Sequence, residues 1–461
     1  MIDNELLKKV MKKTLSKGGE YADIFMEQRS SSELQLEDNK IEKVISGSYS
    51  GIGIRLIYKG KTYYAFSNDF SQDSLLEMAS TVSKVAQDIP KDTVIDLKKS
   101  IPDFTFTIKK LPEEIPLSTK VELVTLCNKA AINFHPDIKQ VFVLYRDTSQ
   151  RVKIYNSEGF LVEDERIYTT GLVRVIASNN GIIQTGYESV GGHIGFELFD
   201  NNLMEEIALI SAKRAVMMLK ARRAPGGRMP VIISSEAGGT MIHEAIGHGL
   251  EADLVQQKVS VYSDKIGQRV ASPLITVIDD ATIPYKRGSF AFDDEGTPSK
   301  KNILVDKGIL VNYMYDKYTA LLDGVSSTGN GRRESYEHKP LPRMTNTLIA
   351  PGNSDPEEVI RSVTNGLLVK KMGGGQVNTV TGDFVFEVQE GYLIENGSIS
   401  EPVRGATLIG NGPEVLKSID MVASDLGFSI GTCGKDAQGV PVSDAMPTLR
   451  IPELVIGGEV T

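Results

Sequence analysis

Residues 236–253 read EAGGTMIHEAIGHGLEAD and place His243, Glu244 and His248 in one helical-looking run. The whole chain has only five histidines, so two of them five positions apart, the first with a carboxylate beside it, concentrate metal-ligand chemistry in one stretch. The familiar zinc spacing H-E-x-x-H works because residues four apart share a helix face while the Glu stays free as a general base. Here the spacing is one residue longer. Five residues advance about 500° around an α-helix, which leaves the two imidazoles roughly 140° apart. A regular helix therefore cannot present both rings to one ion. The spacing predicts either a π-type turn or a break near Gly247, where the missing Cβ relaxes the backbone. Without a metal, the same string describes a helix with two hydrogen-bonded or solvated histidines.

Other polar, glycine-studded segments of the second half carry functional groups of their own. Residues 287–297 read RGSFAFDDEGT, and residues 326–345 gather Arg332, Arg333, Tyr336, His338 and Arg343. Gly373, Gly374 and Gly375 form a glycine run, and Cys433 lies between Gly431 and Gly434 in TCGKDAQGVPVSD. Each of these is also an ordinary polar loop when taken alone. The GNGR string lacks the GKS/T of a phosphate-binding loop and no strand-to-helix switch surrounds it. His135 and His193 have no carboxylate neighbours and read as structural, as does Cys127.

The elements that must position these groups follow from hydrophobic periodicity. The chain opens with an amphipathic helix whose inner stripe is Leu6, Leu7, Val10, Met11 and Leu15, with Asp3 or Asn4 as cap. Alternating strands then cover 22–66, with turns at Asp38-Asn39 and Lys59-Gly60, the pattern of an antiparallel sheet. Helices follow at 71–87 and 118–133 with a Pro-bearing connection between them, then strands over 140–187 and a helix over 202–222. Ala224-Pro225-Gly226-Gly227 breaks the chain there. A short buried strand, PVIISS at 230–235, leads into the histidine run; beyond residue 274 short strands dominate, with helices only near 355–364 and 413–426. The order predicts an α+β protein: an N-terminal helix-and-antiparallel-sheet domain over residues 1–224, then a β-rich C-terminal domain over 225–461 that carries the metal-binding helix.

A net charge of −9 without a long Lys/Arg run leaves no general field for a polyanion, so a nucleic-acid partner is not expected. No apolar run approaches the length of a membrane span, and the N-terminus lacks a signal peptide's apolar core. Two cysteines far apart in sequence make no disulfide framework and suit a reducing compartment. Cytoplasmic location is the expectation.

The strings HEAIGHGLEAD, SFAFDDEGTPS, STGNGRRESYEHKPLPRMTNT, GGGQVNTVTGDFVFE, RGATLIGNG and CGKDAQGVPVSDAMPTLRI together resemble the TldD/PmbA (TldD/TldE) family of zinc peptidases. The resemblance is specific over the second half and departs from the family pattern at Ala437 and Ser443, where glycine is expected. It implies a zinc cofactor (Zn2+) held by His243, His248 and Cys433, with Glu244 as general base. It also implies a partner: the family's PmbA branch lacks the histidine motif and pairs with the branch that keeps it, so this chain would be the active subunit of a homodimer or of a heterodimer with a PmbA/TldE-like paralogue. Two His and one Cys with a fourth position open is a recognised catalytic zinc set. A thiolate ligand acidifies a zinc-bound water less than a third imidazole would, which throws more weight on the base.

The function expected is zinc-dependent hydrolysis of unfolded or extended peptides, with Arg332, Arg333, Tyr336, His338 and Gly373 to Gly375 as candidate substrate contacts. The alternative is a non-catalytic peptide-binding or assembly subunit, against which the intact Glu244 speaks. A zinc deaminase would need H-x-E and a paired P-C-x-x-C, and no second cysteine lies near Cys433.

Overall fold

A computed structural model of the protein describes residues 2–88, 98–102 and 104–459. Helix α1 (Asn4–Thr14) is capped by the Asp3 carboxylate, which accepts from the Leu6 N–H, and buries Leu7, Val10 and Met11. Strands β1 (Tyr21–Glu37), β2 (Lys40–Tyr58) and β3 (Lys61–Ser67) follow as a meander, then α2 (Gln72–Ser83), β4 (Lys98–Lys99) and α3 (Leu117–Ile132). Part of the Pro-bearing connection expected between α2 and α3 lies outside the described residues. Strands β5 (Ile138–Asn156), β6 (Phe160–Asn179) and β7 (Ile182–His193) and helix α4 (Leu203–Lys220) complete this first part.

The seven strands form one sheet in the order β3-β2-β1-β5-β6, with β4 and β7 both on β6. Two-residue turns set the hairpin registers: Asp38-Asn39, Lys59-Gly60 and Asn180-Gly181 all have positive φ at both positions, which matches the right-handed twist of the strands they join. Two apolar clusters flank the sheet. One packs Leu7, Val10, Leu75 and Ala79 of α1 and α2 on Ile24, Ile52 and Ile54, and the other packs Val124, Ala208 and Ala212 of α3 and α4 on Val143, Val173 and Val175. Because β3 pairs with β2 only from Ile52 onward, residues 40–50 keep a free edge, and Ile41, Val44, Ile45 and Tyr49 are exposed along it.

From Arg222 the chain builds two more large sheets and a two-stranded one of Gly331–Arg332 and Leu341–Pro342. An eight-stranded one contains Gly227–Ile233, Asn365–Val377, Asp383–Glu395, Thr407–Asn411 and Leu449–Gly457. A six-stranded one runs in the order Ile309–Leu310, Lys301–Asp306, Val277–Asp280, Asn346–Ile349, Gln438–Met446, Gly427–Lys435, which leaves Gly427–Lys435 as an end strand. The protein is thus α+β with a β-rich C-terminal part. Its largest apolar cluster takes Ile242, Ala245, Ile246 and Leu250 of the histidine run between residues of both sheets, Val369 and Phe386 on one side and Val277 and Val442 on the other. The helix expected over 413–426 is shorter, Gly412–Ser418: Ile419 is already extended, and Met421 and Val422 pair with Arg450 and Leu449 instead.

A buried ionic network joins the first sheet to the later loops. Arg55 donates to Asp23 and, at 2.6 Å, to Glu295, with all three side chains fully buried. Arg166 reaches Asp294 at 2.7 Å and the Phe292 carbonyl at 2.7 Å, and Arg333 donates to the Asp294 carbonyl at 2.8 Å and to Asp23 at 3.3 Å. Breaking a buried pair from one side costs about 3–5 kcal/mol, because the remaining charge is stranded out of water. The loops that carry Glu295, Asp294 and Arg333 are therefore anchored to the first sheet rather than free.

Candidate metal centre

Strand Gly227–Ile233 delivers the chain to a short turn capped by Ser234, and the histidine run begins at Thr240. Gly239 sits so close to the Gln438–Met446 strand that a Cβ there would lie 2.2 Å from the Ala445 nitrogen. This close approach brings the run up against Asp444. The first turn, Thr240–Ile242, is α-helical; His243–Gly247 is a π turn, in which the His248 N–H bonds back to the His243 carbonyl five residues earlier; His248–Leu250 then tightens to a 3₁₀ turn. The i, i+5 spacing is accommodated as its geometry requires, within the helix rather than by a break at Gly247. Gly247 serves another need: a Cβ would lie 2.1 Å from the Met344 sulfur.

The wide turn brings the two imidazole rings to a 5.0 Å centroid separation, nearly perpendicular to each other. Cys433, from the end strand Gly427–Lys435, completes the group, and one ligand atom from each of His243, His248 and Cys433 lies within 4.8 Å of the others. The Cys433 Sγ is 3.5 Å from His248 Nε2. Zinc bonds of about 2.1 Å to nitrogen and 2.3 Å to sulfur at a tetrahedral angle put neighbouring ligand atoms roughly 3.5 Å apart, so this donor set fits the ion in kind, and its Cys433–His248 pair fits in spacing. Cys433 was expected in an exposed loop. It is instead 4% exposed and paired with Val440, a position its local sequence disguises because glycines flank it on an edge strand.

Each histidine is oriented by a carboxylate on its other nitrogen. His243 Nδ1 is 2.7 Å from Asp444, and His248 Nδ1 is 3.0 Å from Glu251. These bonds leave both Nε2 atoms for the ion and select the tautomer that presents them. Glu251 thus stands behind His248. It also accepts from Lys435 at 3.0 Å, and the same ammonium reaches Asp253 at 2.7 Å. Arg343, fully buried, donates to the Cys433 carbonyl.

The charges respond to this packing. Burial alone would lower the His243 and His248 imidazoles, but Asp444, Glu251 and the Cys433 sulfur outweigh it, holding His243 well above its ordinary value and His248 up at about 10. Burial alone would raise the Cys433 thiol, and the two histidines instead bring it down to about 6. Glu251 is likewise pulled down to about 2, against its burial, by Lys435 and His248. The sulfur and the two imidazoles thus stabilise opposite charges on one another, and a divalent ion bound among them would take the place of the imidazole protons. Glu244 is half-buried in the π turn, and among the described residues no cation is paired with it.

The candidate substrate contacts are placed differently from one another. Arg332 and Arg333 are 3% exposed, and their guanidinium groups bond protein partners: Arg332 the Met344 and Pro441 carbonyls at 2.6 and 2.7 Å, Arg333 the network described above. A desolvated guanidinium needs such partners, and these two support the loop from inside instead of facing a ligand. Tyr336 is buried against Tyr49 and Phe66, and its N–H donates to Glu27. His338 is half-exposed, with Nδ1 at 3.0 Å from the Ser335 hydroxyl. Gly373 to Gly375 lie in strand Asn365–Val377, with Gly374 and Gly375 exposed. Asp444 and Lys435 had no sequence signal that tied them to the histidines; Asp444 is 201 positions from His243.

Removing Asp444 tests whether the orienting bond matters. Asp444→Ala is expected to bind zinc about 10–100-fold more weakly, the usual cost of losing a partner behind a metal-ligating histidine. Competition with a chelator of known affinity reads this directly, and unchanged affinity would show that the 2.7 Å contact does not hold the ring.

Comparisons with known proteins cover nearly the whole chain. Residues 226–458 match the PmbA/TldA metallopeptidase C-terminal domain, residues 110–219 the central domain and residues 22–86 domain 1 of the same proteins. A metalloprotease TldD homolog of Haemophilus influenzae is 38% identical over 95% of this chain and 93% of its own length. A metalloprotease of Methanocaldococcus jannaschii is 37% identical over 94% of this chain and 96% of its own. A solved structure from Thermotoga maritima, described as a modulator of a DNA gyrase, superposes with a TM-score of 0.82 over 98% of this chain and 99% of its own, at 21% identity, a likeness that carries the fold alone.

Proposed function

This chain belongs to the PmbA/TldD metallopeptidase family, and on that premise we propose that it is a zinc-dependent peptidase acting on unfolded or extended peptides. The observation that supports this most is the convergence of His243, His248 and Cys433, the histidines at the start and just past the end of a π turn and the cysteine on a strand 185 positions beyond His248, with Glu244 inside the same turn. A zinc ion bound there would polarise a scissile carbonyl and acidify water. Glu244 takes a proton from the attacking water and delivers it to the leaving amine, the role of a positioned carboxylate with no cation tying it down. Asp444 and Glu251 hold the imidazoles, and Lys435 keeps Glu251 ionised and in place. In this reading residues 225–461 carry the chemistry, and residues 1–224 serve access and assembly.

The substrate form follows from two strand edges beside the histidine run. Strand Asn365–Val377 pairs with Gly227–Ile233 only at residues 367–369, so the edge of 371–377, which holds the three glycines, is open. Its Met372 packs in one cluster with Ile246. The other is the outer edge of Gly427–Lys435, which carries Cys433 itself. A peptide added to either edge would be held through its backbone, with little demand on its side chains. A partner subunit, a second copy or a PmbA/TldE-like paralogue, belongs to the same reading; the free edge at residues 40–50, with its exposed Ile41, Val44 and Ile45, is the kind that proteins cover.

Strand addition predicts that the enzyme cleaves unstructured peptides and spares compact domains. The test compares one small domain in its folded form and in a variant that cannot fold, followed by mass spectrometry. Equal cleavage rates for the two would sink the strand-addition reading.

A further inference from the structure

The π turn is the unusual part of the centre, because wide turns of this kind are rare and are sustained by their surroundings. Two hydroxyls from the segment after helix Ala252–Gln256 return to it. The Tyr262 hydroxyl donates to the Ala245 carbonyl at 3.1 Å, and the Ser260 hydroxyl donates to the Gly249 carbonyl at 2.6 Å, so the two bonds bracket His248. Both residues are buried, Tyr262 at 1% exposure and Ser260 at 7%. They are themselves held: the Tyr262 N–H donates to the Ser260 hydroxyl at 3.0 Å, and the Tyr313 hydroxyl donates to the Tyr262 carbonyl at 2.7 Å. Gly249 lets the ring lie flat on the turn, since a Cβ there would be 2.6 Å from Tyr262 Cδ2.

We infer that Tyr262, assisted by Ser260, is a positioning residue of the metal centre, whose hydroxyl holds the Ala245 carbonyl in the wide turn and so keeps His248 on the same side as His243. The inference rests on the zinc-site reading for the identity of the ion. The physical reason is a competition between donors. In an α-helix the Ala245 carbonyl would accept from the N–H four residues on, that of Gly249. Tyr262 occupies that carbonyl instead. Without the hydroxyl, a buried carbonyl must find a new donor, and taking the α-helical one moves the following residues by one helical position, about 100° of rotation, which carries the His248 ring away from the ion.

The test uses the full chain with zinc and with Co2+ as a spectroscopic probe. Tyr262→Phe keeps the ring and removes only the hydroxyl. The expected result is a folded protein that binds zinc at least about tenfold more weakly. Its cobalt d–d bands shift as for a site that has lost an imidazole, while the thiolate-to-cobalt charge-transfer band from Cys433 remains. Ser260→Ala should move both readouts in the same direction by less, and Ser260→Thr should restore them. A Tyr262→Phe protein with the parent's affinity and spectrum, even if it melts earlier, overturns the inference, because a merely structural role lowers stability without moving the bands. Should that variant not fold, Ser260→Ala and its Thr rescue decide on the same readouts. A parent protein that takes up no cobalt overturns the zinc-site reading, and this inference with it.

Discussion

Glu244→Gln is expected to take up zinc as fully as the parent and to hydrolyse peptides at least about 100-fold more slowly, the usual cost of a lost general base. The substitution conserves shape and removes only the ability to accept a proton. Nothing in the ligand group should change, because the three donor atoms that cluster belong to His243, His248 and Cys433. The carboxylate is half-buried in the π turn and pairs with no cation among the described residues, so its removal strands no buried partner charge. Zinc content by atomic emission and turnover of an unstructured peptide are measured on the same preparation. If zinc falls with activity, Glu244 is a ligand; if turnover survives, the base is elsewhere.

Cys433→Ala separates binding from chemistry in the opposite sense: zinc and activity should be lost together. Two neutral imidazoles remain after the substitution, one ligand short of a catalytic zinc set, and the charge that favours a dication has gone. The backbone should tolerate the change, since Cys433 sits in a paired strand opposite Val440 and alanine fits the space of a thiol. Metal content after dialysis against a weak chelator, beside peptide hydrolysis, reads the outcome. Full zinc and full activity would make Cys433 a bystander. Glu251 could then serve as third ligand only by leaving both His248 Nδ1 and the Lys435 ammonium, contacts of 3.0 Å each.

Glu244→Gln leaves all three ligands in place, and Cys433→Ala removes one of them. The roles of Asp444 and Tyr262 fall between them: each leaves every ligand present and changes only how a ring is held.

Much of the fold was legible because it rests on local physics. Alternation at Ile52, Ile54 and Leu56 and the stripe of Leu7, Val10 and Met11 mark faces that must be buried, and they are. The hairpin turns were legible because Asn, Asp and Gly tolerate positive φ where most residues do not. The end of the helix at Ser418 was not, since Val422 and Leu426 continue an apolar pattern in sequence while strand Leu449–Gly457 claims Met421 and Val422.

At the site, the sequence alone determined the chemistry on offer and one fact of geometry. His243 and His248 five positions apart can meet one ion only if the helix widens or breaks, because 3.6 residues per turn is a property of the backbone whatever surrounds it. Only the tertiary structure decided the rest. It chose the π turn over a break, through contacts such as Met344 against Gly247 and Tyr262 on Ala245, and it brought Cys433 and Asp444 to the imidazoles from a hairpin roughly 200 positions later in the chain. It also turned Arg332 and Arg333 inward, where their charges hold loops and sheets together. Local sequence could not carry these outcomes, since each is a pairing of groups remote along the chain, and a pairing energy exists only once packing has brought both partners out of water and within reach.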